Sequence, residues 1–124
     1  MHTVVETPAY LRHCREAGFS DEIRLEVVTY LAQRPDAGDV IPGTGGARKL
    51  RWAGRGKGKS GGYRIITFFC GDDIPVFLVT IYGKGEKADL TMAERNEARH
   101  ALNSEVKRYR EGLVRGVKGR KKIQ

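Results

Sequence analysis

The chain of 124 residues reads as an α+β fold in the order β-α-α-β-β-β-α, with two N-terminal helices packed on an antiparallel sheet. Three observations predict the α+β class. Two early segments start behind clear cap residues, and the second repeats apolar residues at helical spacing. Two central runs, Tyr63–Cys70 and Val76–Tyr82, are rich in aromatic and β-branched residues, as strands are. A last helical stripe follows the capping box Thr91-x-x-Glu94.

The elements follow in order. Residues 2–7 read as a short strand, and Thr7-Pro8 then starts a helix, with Thr as cap and Pro at the first helical position. That helix runs to about Ala17 and Gly18 ends it. Ser20-Asp21-Glu22 opens a second helix, acidic in its first turn as the helix dipole prefers. Its apolar residues Ile23, Val27, Val28, Leu31 and Ala32 recur at helical spacing, and Arg34-Pro35 closes it.

Asp36–Gly46 reads as a loop, and Ala47–Trp52 as a strand entering a long basic segment. Gly71–Pro75 joins the two central strands as a hairpin connection. Leu78 and Val79 fall on opposite faces, as do Phe68 and Phe69, so these strands belong mid-sheet with helices over at least one face. After a second loop, Gly83–Asp89, the last helix carries Ala98, Leu102, Val106, Tyr109 and Leu113 as its packing stripe. The expected division is one domain over residues 1–111 and a flexible basic tail over 112–124.

Charge points to the partner. The net charge is +8, yet residues 1–42 hold seven acidic and four basic side chains, so the excess lies further on. Gly43–Arg64 holds seven basic residues, no acidic one and eight of the sixteen glycines. Glycine lets backbone approach a ligand closely, and unpaired Lys and Arg attract phosphate. A polyanion is therefore the expected partner, RNA foremost. Cys14 and Cys70 form no CxxC pair, which argues against a disulfide framework or a zinc site. No apolar run approaches the ~18 residues of a membrane span. A cytoplasmic protein is the expectation, with no membrane partner and no cofactor.

Three segments then carry a resemblance: GGARKLRW (45–52), KSGGYRII (59–66) and VTIYGKGEKADLT (79–91). In this order, after a two-helix unit, the chain resembles the RelE/ParE superfamily of bacterial toxins, and looks closest to its HigB-like RelE branch. The resemblance implies the toxin of a type II toxin–antitoxin system. Such proteins are mRNA interferases: they cut messenger RNA in the 30S A site of the ribosome without a metal, causing translation inhibition and growth arrest. A small protein antitoxin, expected here to be of helix-turn-helix type, neutralises them.

Carried over residue by residue, the resemblance matches the family's catalytic lysine to Lys49, its Gly-Tyr-Arg arginine to Arg64, and the basic residue after the last core strand to Lys84. RelE itself uses a tyrosine as general base where this chain has Leu90, which leaves the base open. The Gly/Lys loop at 54–62 is longer than in smaller relatives.

The chemistry of that set is adequate for the reaction. Attack by the substrate's own 2′-hydroxyl needs a base, an acid for the leaving 5′-oxygen and cations for the charge growing on phosphorus. Like charges disfavour each other's charged form, so a lysine inside a cationic cluster is a proton-transfer candidate. Lys57 and Lys59 join Lys49 and Lys84 as catalytic candidates on this ground. Arg64 suits bidentate phosphate clamping. Tyr82 could stack on a base, move a proton, or be an ordinary sheet residue.

Arg48, Arg51, Arg55 and Lys87 are RNA-binding candidates. Alternation puts Lys49 and Arg51 on one face of their strand and Arg48 on the other. Trp52 could stack on RNA, though a lone Trp closing a strand more often packs in a core.

Other readings fit less well. His2, His13 and His100 fall on three separate elements, against a two-histidine ribonuclease. No acidic cluster suggests a two-metal nuclease. A GxxxxGK[ST] loop fails because position 53 is Ala, and the segment precedes a strand. The rivals are a ParE-like gyrase inhibitor, for which clustered cations are superfluous, and a non-catalytic nucleic-acid-binding module.

Overall fold

A computed structural model describes residues 1–53, 62–83, 92–93, 96, 99–100 and 102–111. The elements are β1 (Val4–Glu6), α1 (Pro8–Ala17), α2 (Asp21–Gln33), β2 (Asp39–Val40), β3 (Ala47–Trp52), β4 (Tyr63–Phe68) and β5 (Val76–Gly83). A C-terminal helix, α3, is described over residues 102–111, with residues 92–93, 96 and 99–100 also helical. The fold is α+β.

Local sequence accounts for the helix ends. Thr7 Oγ1 accepts the Tyr10 N–H at 3.2 Å and also donates to the Leu78 carbonyl at 2.7 Å, so one hydroxyl caps α1 and ties it to β5. Gly18 closes α1 in the left-handed region at φ 77°, and the Phe19 N–H reaches back to the Cys14 carbonyl at 2.9 Å. Ser20 caps α2 through its hydroxyl to the Ile23 N–H.

The five strands form one sheet in the order β1-β5-β4-β3-β2. The pairs β2–β3, β3–β4 and β4–β5 are antiparallel, but β1 runs parallel to β5, with Val5 opposite Phe77. The expected all-antiparallel sheet is therefore corrected to a mixed one. The chain leaves β1 directly into α1 and returns to the far side of the sheet, so β1 closes an edge that no hairpin supplies. Thr3 and Thr7 complete this pairing through Val76 N–H to Thr3 O and Thr7 N–H to Leu78 O. The sheet also has a fifth strand, β2, inside the expected loop. It pairs two exposed residues, Asp39 with Lys49 and Val40 with Arg48.

Both faces of the sheet are covered. On one, α1 and α2 supply Tyr10, Cys14, Val27 and Leu31 against Leu50, Ile65, Leu78 and Ile81. On the other, Leu102 of α3, with Val106 and Tyr109 beside it, meets Ala47, Ile66, Phe68, Phe77 and Tyr82. Fully burying a side chain such as Leu31 contributes roughly 1.5–3 kcal/mol. A register shift between Ile66 and Thr67 marks a bulge on β4–β5. Ala98 and Leu113 of the expected helix stripe, its capping box and the 112–124 tail lie outside the described residues. Among the described residues no helix is long and apolar enough to cross a membrane.

Candidate nucleic-acid interface

β3 reaches the site already sorted by its pleat. Ala47, Lys49 and Arg51 lie on the α3 side, while Leu50 and Trp52 join the α1–α2 side with Arg48. Register then extends the row across three strands: Arg51 is the cross-strand partner of Arg64, and Arg64 of Tyr82. Lys49 stands one step along the same face, opposite Ile66. Two guanidiniums and an ammonium are thus gathered at one end of the α3-side face.

Their settings differ. Arg51 is exposed, whereas Arg64 keeps only 7 % of its surface, and its guanidinium donates to the Tyr63 carbonyl at 3.3 Å. Arg64 therefore sits in a partly desolvated position where its charge is felt strongly by an incoming anion. The ion pairs among the described residues join Arg24 to Glu6 and Asp21, Arg108 to Glu105, and Arg110 to Asp73. None of these involves Arg51 or Arg64. Lys49 faces Asp39 across the β2–β3 ladder, a carboxylate inside the expected Asp36–Gly46 loop.

Gly38 holds that edge close. At φ 96° it occupies backbone space that L residues rarely adopt, and a Cβ there would stand 2.9 Å from the Lys49 carbonyl oxygen.

Arg48 does something else. Its guanidinium donates to the Asp36 carbonyl at 3.0 Å and the Gly38 carbonyl at 3.3 Å, on the side away from Lys49 and Arg51. It pins the segment after α2. Tyr82 is 4 % exposed and belongs to the α3-side core, so its ring backs the row and is not offered for stacking.

Lys57, Lys59 and Arg55, and likewise Lys84, Lys87 and Leu90, lie outside the described residues. Two of the three histidines make structural hydrogen bonds. His2 donates from Nε2 to the Ile74 carbonyl at 2.7 Å, His13 Nδ1 hydrogen-bonds Thr80 Oγ1 at 2.6 Å, and His100 is an exposed helical residue. Among the described residues no three His, Cys, Asp or Glu side chains gather as a metal site. Elsewhere, burial pushes the Cys14 and Tyr10 ionisations up, and the hydrogen bond to Glu6 raises Arg24.

No protein-family model matches the chain.

The Arg51–Arg64 pair can hold an anion by two guanidinium forks, one exposed and one seated in the sheet. A phosphodiester fits that donor set, with Lys49 alongside it.

Proposed function

We propose that the chain is the toxin of a type II toxin–antitoxin system, a HigB-like member of the RelE group acting as a ribosome-dependent mRNA endonuclease. The carrying observation is the three-strand row Arg51–Arg64–Tyr82 with Lys49 on the same face. The α+β fold and the sequence segments around that row are compatible with the reading.

In the reaction, the 2′-hydroxyl oxygen attacks the adjacent phosphorus, a 2′,3′-cyclic phosphate forms, and the bond to the 5′-oxygen breaks. The 2′-proton goes to a base and the leaving oxygen receives one from an acid. Arg64 and Arg51 hold the non-bridging oxygens and neutralise the charge that grows on them. Lys49 is the proton-transfer candidate in the row, and Lys84, Lys57 and Lys59 are candidates on sequence grounds. Arg55 and Lys87 remain contacts to the RNA backbone. The ribosome and mRNA are the working partners in this reading, and a helix-turn-helix antitoxin is the restraining one.

Induction of the wild-type chain and of Arg64→Ala in bacteria, with 5′ ends mapped on a reporter mRNA with and without translation, tests this. Growth arrest with translation-dependent cuts inside codons, absent in the variant, is expected. Arrest with intact mRNA and DNA damage points instead to gyrase inhibition, and no effect points to a binding module or an inactive toxin.

A further inference from the structure

The opposite face of β3 carries a second feature that the cleavage reading leaves unused. Trp52 ends β3 on the α1–α2 side, one residue from Arg51 on the other. Its indole meets the ring of Tyr30 edge-on, with centroids 5.7 Å apart and planes at 71°. The Arg34 guanidinium carbon lies 6.0 Å from the Tyr30 centroid. This trio is not simply core. α2 turns Val27, Leu31 and Ala32 inward, whereas Tyr30 keeps 37 % of its surface and Arg34 is exposed.

We propose that Tyr30, Trp52 and Arg34 form a stacking surface for an unpaired nucleobase of single-stranded RNA. Aromatic faces beside a guanidinium bind bases of any sequence, because every base has a π-face and Arg adds a cationic partner. Charge complementarity selects the occupant. Arg34 has no carboxylate among the ion pairs of the described residues, and Arg51 leaves the same strand end on the other face, at the edge of the basic Gly43–Arg64 segment. An RNA strand crossing that end meets phosphate-binding guanidiniums on one side and a base platform on the other. The platform needs no chemistry, so it stands apart from the cleavage reading.

Trp52 is the chain's one tryptophan, so its fluorescence reports this patch alone. The full chain is titrated with single-stranded decaadenylate RNA and, separately, with inorganic polyphosphate, which has the charge but no bases. RNA is expected to quench Trp52 in a saturable way while polyphosphate leaves its emission unchanged. Tyr30→Ala should weaken RNA binding about tenfold, Arg34→Ala somewhat less, and Tyr30→Phe hardly at all. Circular dichroism checks that each variant is folded. Arg64→Ala, even with cleavage lost, should still show the quenching. Equal quenching by polyphosphate, no quenching by RNA, or wild-type RNA affinity in folded Tyr30→Ala and Arg34→Ala would each overturn the proposal.

Discussion

Arg51 and Arg64 stand directly opposite each other in the β3–β4 ladder, two like charges in one cross-strand pair. Like charges directly opposite each other destabilise a sheet, and salt relieves them. The arrangement makes sense where an anion is to be bound between them. Arg51→Gln should therefore raise the melting temperature, more at low than at high ionic strength, while weakening RNA binding. Melting curves at two salt concentrations check this; a lower melting temperature would mean that Arg51 supports the fold by itself.

Arg64 is the buried member of the pair, and its planar fork is what Lys cannot reproduce. Arg64→Ala is expected to lower kcat/KM for ribosome-bound message by about 10²–10³-fold, the loss seen when one preorganised donor to a developing oxyanion is removed. Arg64→Lys should fall between the two. Single-turnover kinetics on programmed ribosomes measure it.

Arg48 was an RNA-binding expectation, yet its guanidinium is spent on the Asp36 and Gly38 carbonyls. Arg48→Ala should destabilise the fold by about 1–3 kcal/mol and leave the activity of the folded fraction near wild type. Urea unfolding paired with an activity titration separates the two effects.

Cys14 and Tyr10 both have ionisations raised by burial in the α1–α2 core. Below the unfolded thiol pKa of about 8.5 the thiol is protonated in both states and its burial contributes fully. Above it the unfolded chain ionises first, so stability falls as pH rises, and Tyr10 adds the same trend above about pH 10. Cys14→Ala should lower the baseline but flatten the fall between about pH 8 and about pH 10. Urea midpoints across that range show it, and an unchanged slope would remove Cys14 as the cause.

The chain's local chemistry made much of the fold readable. Thr7, Gly18 and Ser20 are cap residues whose hydrogen bonds are short-range, so both helices could be bounded from sequence. β3 was bounded by its loops and sorted by its pleat, which put Lys49 and Arg51 on one face. The parallel docking of β1 was not legible, because three residues of edge strand carry no mark of their partner. Nor was β2, two exposed residues paired with β3.

At the site, the same limit applies. That Arg51 meets Arg64, and Arg64 meets Tyr82, is a matter of register between strands, which composition and periodicity leave unspecified. Arg48's carbonyl contacts depend on how the chain turns after α2, where Gly38 takes a positive φ. Tyr30 was hidden for a related reason: it lies off the buried stripe of α2, and only the packing of α2 beside the end of β3 brings it to Trp52.

Attack by the 2′-hydroxyl is tested by cleavage of an A-site-positioned message that is all-ribose, compared with one carrying a single 2′-deoxy sugar at the scissile nucleotide. The all-ribose message should be cut to a 2′,3′-cyclic phosphate and a 5′-hydroxyl, and the deoxy message should stay intact. Equal cleavage of both, or none of the all-ribose message, would contradict it.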